Sequence, residues 1–246
     1  TRPAFMHSFV GLANFRNLLS DAFFAKSCWV TLRFVLGSVS LELILGFAIA
    51  LLLWRLGERG RFLLSVFLLP MMLTPIIVGL MWRFMLNYNV GLVNHFVSFL
   101  GLERVPFLAS ENSALLSVML VDAWQWTPFM VLLLYSGLQS MPADPFEAAR
   151  IDGASDLQMF RYVTLPSMRP IILITVLIRG MDALREYDKI YTMTNGGPGN
   201  ATETASFFIY RQAFKFFDMG YAAAAAFILL VISVIVSQLF VSRLSD

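Results

Sequence analysis

Long apolar runs separated by short polar connections dominate this chain. Trp29 to Trp54 is almost entirely aliphatic or aromatic, and comparable runs cover Phe62 to Leu86, Ser113 to Leu138 and Met219 to Val241. A further run starts near Pro166, stays apolar through Ile178 and turns into RGMDALREYDKIY from Arg179 to Tyr191. About 20 apolar helical residues cross the hydrocarbon of a bilayer. The pattern therefore predicts five spans, over residues 29–54, 62–86, 113–138, 166–190 and 219–241. The fold class is all-α, a polytopic membrane protein forming a single transmembrane domain over residues 1–246.

The remaining elements are short. Val10 to Phe15 reads as an interfacial segment and Ser20-Asp21 as a helix start. Leu92 to Leu100 is too short to span, and Phe207 to Phe217, with Arg211 and Lys215 four apart, predicts an amphipathic helix at the outer surface. Pro70 and Pro75 lie inside the second span, where each removes a backbone hydrogen bond. A kink is predicted there, with a gate as the other reading. Glu42 would cost about 2.5 to 3.5 kcal/mol at a lipid-facing helix centre, so it must face protein or water.

Composition agrees with a membrane protein: 58% of residues are apolar and 14% aromatic. The net charge of +2, from scattered basic residues, gives no nucleic-acid surface. A lone Cys28 forms no internal disulfide, and His7 and His95 stand apart without a ligand pattern, so no metal site is expected. Arg55, Arg59 and Arg61 crowd one short connection and favour the cytoplasm. Arg2, Arg16, Lys26, Arg104, Lys189, Arg211 and Lys215 fall on the other side and blunt that bias.

The longest polar segment between spans is PADPFEAARIDGASDLQMFRYVTLPSMRP, Pro142 to Pro170. Asp144 can cap a helix with Pro145 at its first position and Glu147 at its third, Gly153 can end it, and Ser155 with Gln158 can cap a second. Two short helices at an angle are predicted. Ala148 and Ala149 allow close approach, while Phe146, Ile151, Leu157, Met159 and Phe160 offer more apolar surface than such a pair can bury. A docked partner is one explanation, an ordinary capped cytosolic loop the other.

Charged and aromatic residues cluster elsewhere. Arg179, Asp182, Glu186 and Lys189 recur at helical spacing on one face, and Asp122, Gln125, Trp126 and Phe129 punctuate the third span. Facing lipid, the charges would cost more than about 10 kcal/mol. They line a polar path, or they lie on a helix that leaves the bilayer near Arg179 as a solvated extension. Aromatic faces beside carboxylates and amides suit a hydroxylated, ring-shaped solute.

Glu147-Ala148-Ala149, Gly153 and Leu165-Pro166 resemble the EAA motif of importer-type ABC permeases. The outer-loop run Asn195-Gly196-Gly197-Pro198-Gly199, followed by Thr202-Glu203-Thr204, is similar to that of maltose-type and glycerol-phosphate-type carbohydrate permeases. The resemblance implies the type I importer permease fold in the bacterial inner membrane, with residues 142–165 as a cytoplasmic loop. Its coupling residues would be Glu147, Ala148, Ala149, Gly153, Leu165 and Pro166. It also implies a family helix ahead of Thr1, two copies of a separate ATPase subunit carrying ATP and Mg, a second and different permease, an extracytoplasmic solute-binding protein and surrounding lipid.

Counted from the motif glutamate, the family's sugar-contacting positions fall on Asp122, Trp126, Phe129, Ala183 and Glu186, with Gln125 and Asp182 beside them. Maltose-specific relatives carry asparagine where this chain has Ala183 and Glu186, so a different sugar is expected. The chain has no phosphate-binding GxxxxGK[ST] loop and no catalytic Ser/His, Cys/His or HExxH arrangement, so it is expected to be neither an ATPase nor a membrane enzyme. An ion-coupled secondary transporter is the alternative, although related broken helices in two halves are not evident.

Overall fold

A computed structural model describes residues 10–245, so Arg2 and His7 lie outside the described residues. Its helices are α1 (Ala13–Leu19), α2 (Ala22–Arg55), α3 (Glu58–Phe67), α4 (Pro75–Met85), α5 (Leu92–Phe99), α6 (Glu111–Gln139), α7 (Asp144–Ile151), α8 (Asp156–Met159), α9 (Leu165–Ala183), α10 (Ala205–Tyr210) and α11 (Met219–Ser245). No strand occurs among the described residues.

Asp21 starts α2, its carboxylate accepting from the Phe23 and Phe24 amides. At 1.5 Å per residue the 34 residues of α2 extend about 51 Å, beyond the hydrocarbon thickness at one or both ends. α6 is the hub, with 61% of its apolar window buried, against 17% for α11, whose apolar surface faces outward. α2 and α6 run parallel and touch where Gly46 meets Met130; a Cβ on Gly46 would lie 2.6 Å from Met130 Cβ. Without a hydrophobic force between helices in lipid, such close approach supplies the dispersion contacts that hold them together. A second cluster, Leu18, Phe24, Phe208, Ala224 and Ala225, ties α1, α2, α10 and α11 together.

Several expectations are corrected. The run predicted as one kinked span, residues 62–86, is two helices bent by 87°. Pro70 sits in a 3₁₀ turn, Leu69–Met72, and Leu73 and Thr74 are extended, as the residue before Pro75 must avoid the helical region. The carbonyl freed at Leu73 accepts from Gln125 Nε2 at 2.8 Å.

The run predicted as a span to residue 190 ends at Ala183. Side chains at the start of α10 satisfy the carbonyls just beyond it: Thr204 Oγ1 donates to the Glu186 carbonyl at 3.0 Å and Ser206 Oγ to that of Leu184 at 3.4 Å. The Glu186 carboxylate then accepts from the Lys189 amide at 2.8 Å and starts a π-helical turn, Ile190–Thr194. Nor is this a solvated extension, since Glu186 and Lys189 are buried.

The predicted surface helix 207–217 is α10 followed by a π-helical turn, Arg211–Lys215. Phe207 and Phe208 are buried, and Tyr210 packs on Tyr187 with ring centroids 4.8 Å apart.

Replacing Gly46 by leucine forces a side chain into Met130, an overpacking cost of about 1–3 kcal/mol. A lower midpoint for thermal loss of the monodisperse peak in detergent is the expected result.

Candidate functional site

Local sequence builds the platform between α6 and α9. Asp144 does not cap α7, contrary to expectation. The chain enters the helix one residue earlier, and the Ala143 carbonyl takes the amides of Phe146 and Glu147. Asp144 and Glu147 lie in the first turn of α7, where negative charge suits the helix dipole.

α7 ends in a Schellman arrangement: the Ala154 amide donates to the Ala149 carbonyl at 2.9 Å and Gly153 to that of Arg150 at 3.1 Å. Gly153 has φ +76°, the left-handed conformation that glycine enters without a Cβ penalty. Ser155 and Gln158 form a complete capping box. The second helix is not a separate short one, however; α8 passes through a π-helical turn, Phe160–Thr164, into α9 as one 28-residue element, Asp156–Ala183.

Phe146 on Trp54 (5.9 Å between ring centroids) and Phe160 on Phe47 (5.7 Å) hold this platform to the C-terminal end of α2. The Arg55–Asp156 pair at 3.3 Å is exposed on both sides and adds little. Glu147, Ala148, Gly153, Leu165 and Pro166 are exposed and Ala149 is half-buried. Ile151 is 86% and Leu157 74% exposed. The platform thus presents an apolar face with nothing among the described residues to cover it.

A second constellation lies inside the helix bundle. Arg179, 1% exposed, reaches Glu42 through Nε–Oε2 at 2.8 Å and Nη2–Oε1 at 3.0 Å, and pairs with the fully buried Asp122. Lys189 Nζ meets Asp122 Oδ1 at 3.0 Å, Glu186 Oε2 at 2.8 Å and Gln125 Oε1 at 3.2 Å. Asp182, half exposed, pairs with Arg179 at 3.3 Å. Charges this deep persist only when paired and hydrogen-bonded.

The Arg179 guanidinium stacks 5.3 Å from the Trp126 ring centroid, and Phe129 meets that ring edge-on at 6.3 Å. Both rings are partly exposed, and Trp126 Nε1 has no hydrogen-bond partner among the described residues. Of the residues expected along a path, Asp122, Gln125, Trp126, Asp182 and Glu186 thus join one contact network. Ala183 instead is buried in the apolar core.

Arg179, Lys189 and Glu42 organise this cluster; the sequence placed Arg179 and Lys189 on the polar face of the fourth span, but it connected neither to Glu42 and named none of the three among the solute-contacting positions. The usable signal was Glu42 itself, an isolated carboxylate in an apolar run that requires a cation from another helix.

The loop from Asn195 to Thr204 packs against the helix bundle. Asn195 and Gly196 have positive φ and the Gly197–Pro198 bond is cis. Thr202 Oγ1 donates to the Gly197 carbonyl at 2.8 Å, Lys26 Nζ to that of Gly199 at 2.8 Å, and the Ala205 amide to Thr31 Oγ1 at 2.8 Å. Arg211 pairs with Glu203 at 2.8 Å; burial pushes that carboxyl above its ordinary range while Arg211 draws it down.

Residues 42–244 match the family model described as "Binding-protein-dependent transport system inner membrane component". The chain is 41% identical over 243 residues to a probable ABC transporter permease protein, y4oQ, of Sinorhizobium fredii, covering 98% of this chain and 78% of that one. It is 43% identical over 213 residues to the trehalose/maltose transport system permease protein MalF of Thermococcus litoralis, covering 86% and 70%. A chain from the crystal structure of a bacterial alginate ABC transporter in complex with an alginate pentasaccharide-bound periplasmic protein superimposes with a TM-score of 0.84 at 22% identity, over 94% and 82% of the two chains. That likeness shows the type I importer permease fold. The chain belongs to the binding-protein-dependent transport system inner membrane component family, as a multi-pass permease subunit of an ABC importer.

Proposed function

We propose that this permease lines the translocation path for a sugar or sugar-like solute and is driven by ATP hydrolysis on separate subunits. The exposed apolar platform carries the coupling half of this reading: Ile151 and Leu157 are left in water by this chain and suit the groove of a partner. Of two copies of an ATPase, each holding ATP and Mg, one would grip α7 through Glu147, Ala148, Ala149 and Gly153, with Leu165 and Pro166 at the start of α9. A second permease, a different chain, would supply the other wall of the path, and an extracytoplasmic binding protein would deliver solute above Asn195, Gly196, Gly197 and Pro198. Residues 142–165 would then be the cytoplasmic loop.

The continuous α8–α9 element gives the platform a long arm. Its 28 residues extend about 42 Å, from the capping box to the turn that holds Arg179 and Asp182. A tilt imposed on α7 is thereby transmitted to the charge cluster.

Names of relatives support the solute class. Similar proteins are described as permeases for trehalose/maltose, sulfoquinovosyl glycerol and multiple sugars. Within this chain, Trp126 and Phe129 supply partly exposed ring faces.

Two outcomes follow. Gly153→Asp places a Cβ and a charge at φ +76° in the docking face; co-purification of the ATPase should fall several-fold while the permease yield stays within about twofold. Trp126→Ala removes the ring platform, and the solute concentration for half-maximal uptake in proteoliposomes should rise by about tenfold, as expected for a stacking loss of about 1.4 kcal/mol. An unchanged half-saturation would remove Trp126 from the path.

A further inference from the structure

We propose that Lys189 is the latch of an outer gate: it positions Asp122 and Gln125, and through them holds the half-helix α4 closed. This rests on α6 and α9 lining the solute path.

α4 and the turn after α9 behave as one body. Gly79 packs so closely on Thr192 that a Cβ there would lie 1.9 Å from Thr192 Oγ1. Arg83 Nη1 donates to the Thr192 carbonyl at 3.2 Å, and Val78 between them is fully buried. The joints that would let this body move lie at its two ends. One is the extended Leu73–Thr74 break, where the helices bend by 87°. The other is the non-helical segment from Leu184 to Tyr187.

Lys189 sits at the start of that body and carries polar bonds from it to α6: Asp122 Oδ1 at 3.0 Å and Gln125 Oε1 at 3.2 Å. Gln125 spends its amide group on the Leu73 carbonyl at 2.8 Å, at the break itself. One ammonium thus ties α6 to the moving body, and through Gln125 reaches the hinge.

The charge count makes the tie decisive. Among the described residues, Glu42, Asp122 and Glu186, all buried, and the half-exposed Asp182 pair only with Arg179 and Lys189. With Lys189 withdrawn, Arg179 would be left to face Glu42, Asp122 and Asp182, and Glu186 would lose its ion-pair partner, so the arrangement is either made or lost. Buried ion pairs add little net stability compared with apolar packing, but they select one arrangement sharply. A solute rich in hydroxyls can donate to the Asp122 carboxylate and the Gln125 amide oxygen that Lys189 leaves, so opening becomes coupled to solute arrival.

The test uses the complete transporter, with its ATPase and second permease, in proteoliposomes lacking both binding protein and sugar. Lys189→Met should raise the unstimulated ATPase rate about fivefold or more. Gln125→Met, which cuts the link to Leu73 without unbalancing the charges, should raise it in the same sense. In a Cys28→Ser background, a Val78→Cys probe should react faster with an impermeant maleimide when Lys189 is replaced. A purely structural role would lower yield without moving either readout. Unchanged rates and labelling in a well-assembled Gln125→Met would overturn the latch, as would an unchanged rate in a well-assembled Lys189→Met. The result for Trp126→Ala is independent of this, so failure of the path and failure of the latch remain distinguishable.

Discussion

Asp122 is the constraint around which the bundle closes. A fully buried carboxylate in a membrane helix has no water to stabilise it, and here it is held by Arg179 from α9 and Lys189 from the segment beyond α9. Each cation in turn requires another carboxylate, Glu42 from α2 for Arg179 and Glu186 for Lys189. Satisfying one charge therefore fixes three helices and the turn that ends α9. In a low-dielectric setting a partial version of this network costs more than none. The arrangement is cooperative for that reason.

The same economy governs the backbone. Proline and extended residues break the helix between α3 and α4, and the freed Leu73 carbonyl finds Gln125 rather than lipid. α9 stops after Ala183 because hydroxyls of Thr204 and Ser206 accept the task of satisfying carbonyls beyond it. Irregular backbone at membrane depth is tolerated only where protein covers it, and both breaks lie beside the charge cluster. Non-helical segments and buried charge are concentrated in one region, where motion is most easily accommodated, while the parallel α2–α6 contact at Gly46 is closely packed.

At the α7 platform the physics is different. α7 and its caps are satisfied by local hydrogen bonds, so the platform can keep its shape while its apolar side chains remain exposed. Rigidity without burial is what a surface built for another subunit requires. The uninterrupted path from the Ser155 capping box into α9 joins that surface to the Arg179 end of the same element.

What the sequence determined by itself was local. Apolar runs long enough to cross a bilayer, the Asp21 helix start, the left-handed Gly153 and the Ser155–Gln158 box depend on neighbours within a few positions, and each is legible from them. Even locally the register slipped by one residue at Asp144, because a backbone carbonyl competed for the amides that its side chain was expected to cap. The sequence also required that Glu42 find company, but not whose. Only the tertiary structure decided that Glu42 meets Arg179, that Lys189 turns inward to Asp122 and Gln125, and that α9 ends at Ala183. Those partners are separated by 137 residues for Glu42 and Arg179 and 64 for Gln125 and Lys189, and no periodicity reports a contact across such distances.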